Sequence, residues 1–197
     1  MNTSYQPHPV YLPQGWNRHT VNQPVDIFSC VIKNGEDFGL KEIIDDDRRE
    51  HPESGESNIK AWHSDWKTHE QDARFLPIID LATDMCEEIV ALYHQVHQQF
   101  KVEELWVMQY NEGDHGLNHS HYPYEWAFVY YVDVEPGCSP IIFEDKLEIR
   151  PENNMAVLFP SDVQHRIPPN SNSKRTVLSM NIAKKNVFMR RNRVVLR

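Results

Sequence analysis

Short apolar runs dominate the second half of the chain. Six of them, from Leu105 onwards, are rich in β-branched and aromatic residues, a composition that favours β-strands. Turn-forming residues such as Gly113 and Pro136 separate these runs. Many short strands at this spacing predict antiparallel sheets arranged as a sandwich or a barrel. The predicted strands cover residues 105–110, 127–134, 141–143, 147–149, 155–159 and 176–182.

The first half of the chain is organised differently. Apolar residues recur every three or four positions between residues 77 and 100, which predicts one long amphipathic helix. Residues 25–32 have the composition of a strand, and the Pro- and Asn-rich residues 1–23 predict an extended arm. The charged residues 41–57 predict a solvated loop or the end of a short helix. The apolar stripe of the long helix consists of Ile78, Leu81, Met85, Ile89, Leu92 and Val96.

Together these elements predict a mainly β fold with α decoration. The expected architecture is a double-stranded β-helix, or jelly roll, with an N-terminal α/β segment and one long helix packed on an outer face. A length of 197 residues favours a single domain spanning residues 1–197. Within it, residues 1–103 would supply the arm, strand and supporting helix, 104–183 the jelly-roll core, and 184–197 a basic tail.

Composition narrows the classes of partner. A formal net charge of −9 argues against nonspecific binding to nucleic acid, which requires a surplus of Lys and Arg. The three cysteines include no CxxC pair, which favours a reducing compartment. No signal peptide or membrane-spanning run is recognisable. We therefore expect a cytoplasmic protein, with no membrane partner, that acts on a protein, peptide or small-molecule substrate; the oligomeric state stays open.

The candidate chemistry lies between the predicted strands. His119 and His121 follow the turn at Gly113, His165 follows the strand at 155–159, and Arg175 precedes the last strand. Imidazoles suit a redox-active divalent metal with open coordination positions. The planar guanidinium of Arg175 suits a carboxylate. This order predicts a non-heme iron site with an acidic co-substrate.

Side-chain alternation supports an inward-facing Arg175. In a strand that begins there, Arg175, Val177, Ser179 and Asn181 share one face. This set is mostly polar and suits the interior of a barrel mouth that holds a charged ligand. The opposite face is apolar enough to pack against a sheet or a helix; it consists of Thr176, Leu178, Met180 and Ile182.

Several motifs then follow one another in a familiar order. They are Tyr110-x-x-Gly113, His119-x-His121, Val129-Tyr130-Tyr131-Val132, Leu158-Phe159-Pro160, His165, Arg175 and Asn181. The order and spacing resemble the Fe(II)/2-oxoglutarate-dependent oxygenases, in particular the prolyl-4-hydroxylase-like branch with its small bacterial and phage members. The resemblance covers the C-terminal half of the chain.

The resemblance implies a function and roles for particular residues. His119 would be the first iron ligand, His165 the distal ligand, and Arg175 the partner of the 2-oxoglutarate C5 carboxylate, with Tyr110 near that carboxylate. The inward-facing Ser179 and Asn181 would line the same co-substrate site. The implied activity is a dioxygenase that uses Fe(II), 2-oxoglutarate and O₂ to hydroxylate a substrate, with a prolyl or other protein or peptide side chain as the leading candidate.

The third metal position departs from the family pattern. The usual motif is His-x-Asp or His-x-Glu, whereas this chain has His121 at the third place. We expect His121 to replace the carboxylate as a ligand. Alternatively, His121 turns away and Asp114, Glu125 or Asp145 supplies the missing carboxylate.

Two histidine segments compete with this site. His63-Ser64-Asp65 is a literal His-x-Asp, but the long helix follows it instead of a jelly-roll strand. Trp62, His63 and Trp66 are better candidates for a wall of the substrate cleft. His115 lies between Asp114 and Gly116 and is expected in a turn.

Two other functional classes stay open. A cupin-like dioxygenase or isomerase would use three histidines without 2-oxoglutarate, which His121 favours and Arg175 disfavours. A non-catalytic jelly-roll binding protein would keep only a vestigial metal pocket. Fold alone does not identify the substrate of such a protein.

Overall fold

The computed structural model describes residues 24–53, 57–171 and 173–185. The predicted arm at residues 1–23 and nearly all of the predicted basic tail, from residue 186, lie outside the described residues.

The described residues form two antiparallel sheets and a helical layer. Eleven strands occur in these ranges. They are β1 (Phe28–Val31), β2 (Ile59–Lys60), β3 (Trp62–His63), β4 (Phe100–Tyr110), β5 (His115–His119), β6 (Trp126–Val134), β7 (Ile141–Phe143), β8 (Leu147–Ile149), β9 (Met155–Pro160), β10 (His165–Ile167) and β11 (Arg175–Lys184).

Three α-helices accompany the sheets in the described ranges. They are α1 (Leu40–Glu50), α2 (Thr68–Gln71) and α3 (Leu76–His94), and short 3₁₀ helices at Gly35–Phe38 and Ala73–Phe75 precede α1 and α3. Among the helices described, none combines the length and the apolar character needed to cross a membrane.

Strand β11 is central to the larger sheet. That sheet has the order β1-β9-β6-β11-β4-β3, and the smaller sheet has the order β2-β5-β10-β7-β8. Strand β11 pairs along its length with β4 and β6, so that Arg175 lies opposite Tyr110 and Asn181 lies opposite Glu104. This register places the polar face of β11 beside one face of β4.

Two apolar cores lie on opposite faces of the larger sheet. Leu178, Met180 and Ile182 of β11 pack with helix α3 in one core. Val177 lies with β4 and β6 residues in the core between the two sheets. The predicted alternation along β11 is therefore confirmed, because its apolar face meets the helical layer and its polar face meets the smaller sheet.

The six strands predicted in the second half are all present, and the fold class is confirmed. Their ends differ by up to five residues, since β4 begins at Phe100 instead of Leu105. The prediction missed β2, β3, β5 and β10, which are two to five residues long. Segments this short carry no clear period-two signal, because pairing with neighbouring strands defines them.

The charged segment from residue 41 contains a helix, so the loop interpretation is wrong there. Helix α1 buries Leu40, Ile43 and Ile44, which occupy one side of the helix at three- and four-residue spacing. Among the charged residues that follow, Asp45, Arg49 and Glu50 are exposed, whereas Arg48 lies over the Trp62 ring and bonds to Gln109. The short apolar stripe was masked by the charged residues around it.

Helix α3 confirms the predicted long helix, and four residues of the predicted stripe meet the core: Ile78 is buried, and Leu81, Met85 and Ile89 are partly buried against it. The buried residues of the helix are Ile78, Ala82, Cys86 and Val90. Leu92, assigned by the sequence to the buried stripe, is 74% exposed, and the helix ends at His94, before Val96. Small residues at 82 and 86 allow the close approach to the sheet, which a stripe defined by large apolar residues does not reveal.

Two residues of the predicted stripe should therefore respond differently to truncation. Ile78→Ala should lower the free energy of unfolding by about 2–5 kcal/mol, because the side chain is fully buried between α3 and the sheet. Leu92→Ala, as the matched exposed control, should change it by no more than about 0.5 kcal/mol. Urea denaturation of both variants provides the measurement. Equal losses would contradict the observed orientation of the helix.

Candidate metal centre and adjoining cleft

Three histidines converge between the two sheets. One ring nitrogen from each of His119, His121 and His165 lies within 4.8 Å of the others. His165 is 2% exposed and His121 is 9% exposed, whereas His119 is partly exposed. All three predicted metal residues are therefore brought together in a geometry that could hold one ion.

Strand pairing creates this convergence across 46 sequence positions. His165 in β10 pairs directly with His119 in β5, and their ring centres are 4.3 Å apart. His121 lies two residues beyond the end of β5, where its backbone N–H donates to the carbonyl of Ser161 at 2.7 Å. The loop is thereby held so that the Nε2 atoms of His121 and His165 are 3.3 Å apart.

Hydrogen bonds to Nδ1 determine the tautomer of each ring. Nδ1 of His119 lies 2.7 Å from the Leu117 carbonyl, and Nδ1 of His165 lies 3.1 Å from the Val163 carbonyl. Since a carbonyl only accepts, each Nδ1 carries the proton and each Nε2 keeps its lone pair. Metal-ligating histidines in proteins are commonly oriented in this way.

Burial keeps the three imidazoles neutral. It lowers the pKa of His119 and His165 below the usual 6.5, that of His165 strongly. Burial, with the nearby His119, lowers the pKa of His121 to about 4. At neutral pH the Nε2 lone pairs are then available without the loss of a proton.

A chain of hydrogen bonds orients the His121 ring through its Nδ1 atom. Its Nδ1 lies 2.6 Å from Oδ1 of Asn181, and Nδ2 of Asn181 donates to Oε2 of Glu104 at 2.6 Å. The donation to Glu104 fixes the orientation of the amide, so Oδ1 accepts the imidazole proton. The Asn181 side chain therefore contacts His121 directly, and the Glu104 carboxylate is linked to the histidine cluster through Asn181.

Arg175 is buried at the other end of the same inner face. Its side chain is 2% exposed, and its guanidinium carbon lies 4.3 Å from the ring centre of Tyr110 and 5.5 Å from that of Tyr131. Nε donates to the Ser139 carbonyl at 3.1 Å. Within the described part of the chain, Nη1 has no hydrogen-bond partner. A buried, incompletely satisfied cation is suited to an anionic ligand.

Two spaces meet at the histidines. A narrow cavity of about 20 Å³ is lined by His165, Tyr110, Arg175 and Ser179. An open cleft of about 380 Å³ adjoins it and has Glu104, Asn181 and four Trp or Tyr side chains among its walls. The two spaces share a set of wall residues, namely Ile59, Trp106, His119 and His121.

The alternative carboxylates are engaged elsewhere. Oδ2 of Asp114 accepts the Asn111 backbone N–H at 2.8 Å, and Oε2 of Glu125 accepts the Lys184 backbone N–H at 3.1 Å. Asp145 forms an ion pair with Arg166 at 2.7 Å. None of the three belongs to the histidine cluster.

The competing histidine segments have other positions. His63 is buried outside the cluster and stacks on Trp106, with ring centres 6.0 Å apart. Trp66 lines the open cleft, as predicted, whereas Trp62 packs in the helix-side core. His115 is the first residue of β5, so its expected turn position is wrong.

Four residues around the site escaped the sequence reasoning. Glu104 and Trp106 precede Tyr110 on β4 at even spacing, so strand alternation could have placed them on its inner face. Tyr131 lies in a run of buried residues on β6, which hides its orientation. The Ser139 carbonyl carries no sequence signal, because any residue supplies one.

The comparisons with known proteins concern the fold. Models of protein families give no match to the sequence, and neither do curated proteins. Solved structures do match, and several of them are oxygenases.

Three solved structures illustrate the match. A viral collagen prolyl hydroxylase from Paramecium Bursaria Chlorella virus-1, in a 2-oxoglutarate complex, has a TM-score of 0.60 at 13% identity, covering 79% of this chain and 94% of its own. A prolyl hydroxylase with a hypoxia inducible factor peptide fragment, from Trichoplax adhaerens, has 0.55 at 14%, covering 78% and 82%. The non-heme α-ketoglutarate-dependent epimerase SnoN from nogalamycin biosynthesis has 0.59 at 12%, covering 80% and 77%. The predicted resemblance is thereby confirmed at the level of the fold.

The convergent histidines yield a direct binding prediction. We expect His119→Ala, His121→Ala and His165→Ala each to abolish stoichiometric Fe(II) binding, because each removes one Nε2 donor from a three-donor set. Anaerobic calorimetry measures binding, and circular dichroism verifies the fold. His115→Ala is the matched control and should bind iron as the wild type does. Undiminished binding in the His119 and His165 variants would rule out this metal site.

Proposed function

We propose that the protein is an Fe(II)- and 2-oxoglutarate-dependent dioxygenase, on the premise that it shares its fold with solved oxygenases. The observation that carries the proposal is the pairing, on one inner face, of a three-histidine cluster with the buried cation of Arg175. A metal alone would explain the histidines. The additional buried cation calls for an anionic co-substrate beside the metal.

The donor atoms fit both groups. Three neutral imidazoles suit Fe(II), although the set has one negative charge fewer than two histidines and a carboxylate. Two buried polar atoms at the Arg175 end of the face have no hydrogen-bond partner within the described chain: Arg175 Nη1 and Tyr131 Oη. Both can donate to an oxyanion. The narrow cavity of about 20 Å³ beside Arg175 shares its histidine walls with the open cleft, so a dicarboxylate can reach both the guanidinium and the histidines.

The residues of the inner face have separate binding roles. We assign metal binding to His119, His121 and His165, and the C5 carboxylate to Arg175. Tyr110 stacks under the guanidinium and keeps it in place. Ser179 lies on the cavity wall between these groups, where its hydroxyl can contact the co-substrate.

The bound metal and co-substrate would supply an oxidant for unactivated C–H bonds, with 2-oxoglutarate and O₂ yielding succinate and CO₂. The protein orients the co-substrate and excludes water through the apolar walls of the cavity. Asn181 orients His121, and the Glu104 carboxylate raises the electron-donating strength of that imidazole through the amide. Glu104 thus partly supplies the negative charge that a carboxylate ligand would have brought to the metal.

The open cleft beside His119 and His121 is where the substrate would bind. We propose a protein or peptide side chain, in keeping with the peptide bound by the prolyl hydroxylase of the same fold. A prolyl side chain is one candidate. The epimerase of the same fold shows that hydroxylation does not follow from the fold.

A cupin-like dioxygenase without 2-oxoglutarate is the second candidate. The all-histidine cluster favours it, since no carboxylate joins the three rings among the described residues. Arg175 disfavours it, because a buried cation facing the cavity has no role in such a site.

Succinate formation tests the proposal. The Fe(II)-loaded protein should convert 2-oxoglutarate to succinate in air, slowly without substrate, and neither metal-free protein nor His165→Ala should do so. Mass spectrometry measures the product. Stoichiometric iron binding without any succinate would favour the cupin-like alternative.

Arg175 should control co-substrate affinity. Loss of a charge-assisted pair, worth about 1.5–3 kcal/mol, should weaken 2-oxoglutarate binding roughly tenfold to a few hundredfold in Arg175→Ala. Arg175→Lys should recover only part of it, because an ammonium lacks the planar fork. Anaerobic calorimetry with 2-oxoglutarate gives the affinities. Unchanged affinity in the Ala variant would assign the C5 carboxylate to another residue.

Asn181 should affect the affinity for the metal and not the affinity for the co-substrate. Asn181→Ala removes the acceptor of the His121 proton and should weaken Fe(II) binding by about 10- to 100-fold. Ser179→Ala, two residues earlier on the same face, should leave Fe(II) affinity unchanged. The two affinities are compared by anaerobic calorimetry. Equal effects of the two substitutions would contradict the role given to Asn181.

A further inference from the structure

The inner face of the larger sheet has opposite charges at its two ends. In the β4–β11 register, Tyr110 pairs with Arg175 at one end and Glu104 pairs with Asn181 at the other. Arg175 lines the narrow cavity, and Glu104 lines the open cleft. The histidine cluster lies between these two charged groups, because its members contribute to both spaces.

The Glu104 carboxylate lines the open cleft. It accepts a hydrogen bond from the Asn181 amide at 2.6 Å and a second from the Tyr124 hydroxyl. No lysine or arginine of the described ranges forms an ion pair with it, since the nearby Lys67 pairs with Glu70 at 2.9 Å. A carboxylate has about four acceptor positions, so Glu104 can still accept hydrogen bonds from a cation in the cleft.

Aromatic rings line the same cleft as this carboxylate. Trp66 and Trp106 form a corner of the cleft, with ring centres 4.7 Å apart and planes inclined by 57°. Tyr124 also lines the cleft, and the charge of Glu104 helps raise its pKa, after burial. Indole faces attract cations most strongly among aromatic side chains. Trp106 is 2% exposed, with the rings of His63 and His121 stacked on it, so Trp66, which is 38% exposed, is the indole open to the cleft. A carboxylate and an exposed indole in one cleft suit an organic cation.

We propose that the substrate carries an organic cation, an ammonium or a guanidinium group, which binds between Glu104 and the Trp66–Trp106 corner. This inference rests on the proposed function, because it names the substrate class of that site. The anionic co-substrate and the cationic substrate are then sorted to opposite ends of the inner face by charge. A lysyl or arginyl peptide, or a small amine, has the required chemistry.

Simple cations test this binding without turnover. The probes are n-butylammonium and n-butylguanidinium, with n-butanol as the neutral analogue and butyrate as the anionic one. Binding to the Fe(II)-free protein is followed through the indole N–H resonances of Trp66 and Trp106, assigned with Trp66→Phe and Trp106→Phe. The cations should shift both resonances saturably, with dissociation constants roughly threefold to tenfold lower than that of butanol.

Glu104→Gln isolates the charge. Gln can still accept from Asn181, so the chain to His121 is kept while the carboxylate is lost. The variant should bind the cations no better than butanol. Glu103→Gln is the matched control, since that residue pairs with Lys101 and is not a wall residue of the cleft, and it should keep the preference for cations.

The outcomes separate this proposal from the function on which it rests. Equal binding of butanol and the cations by the wild type, no shift with either cation, or a cation preference that persists in Glu104→Gln would each overturn it. The wild-type comparison decides the question even where the variant fails to fold. Failure of the oxygenase proposal would appear in the succinate assay instead, which uses no cation.

Discussion

The register of β11 between β4 and β6 is the constraint on which both fold and site depend. Because side chains alternate, a slip of one residue would turn Arg175 and Asn181 into the helix-side core and expose Leu178 to the polar cavity. Both faces of the sheet are covered by packed layers, so such a slip would bury unpaired polar groups. Apolar packing against α3 therefore also determines where the charged groups of the site lie.

Burial of Arg175 has a cost that the fold only partly offsets. The Ser139 carbonyl and the faces of Tyr110 and Tyr131 stabilise the guanidinium, but Nη1 has no partner among the described residues. A cation kept in this state favours any anion that reaches it, because the desolvation cost has already been met during folding. The buried charge thus links the stability of the domain to the affinity for an acidic ligand.

The histidine cluster differs from Arg175 in that its buried rings are neutral. Its rings are kept neutral by burial, and their Nδ1 protons are directed to carbonyl or amide oxygens, so no charge needs compensation before a metal binds. Glu104 provides negative charge at a distance, through Asn181. Because Glu104 contacts His121 only through Asn181, its carboxylate stays on the wall of the open cleft. A carboxylate that coordinated the metal directly would not be available there.

The sequence by itself determined six strands of the second half and the alternation along β11, because these follow from local period. It also singled out His119, His121, His165 and Arg175 as candidate site residues, from their chemistry and from the family resemblance. Only the tertiary structure decided that His121 joins the cluster and that Glu104 supports it, since these contacts join residues 60 and 77 positions apart. Strand pairing sets such contacts. A single sequence carries no periodic signal for them, as the missed short strands β5 and β10 also show.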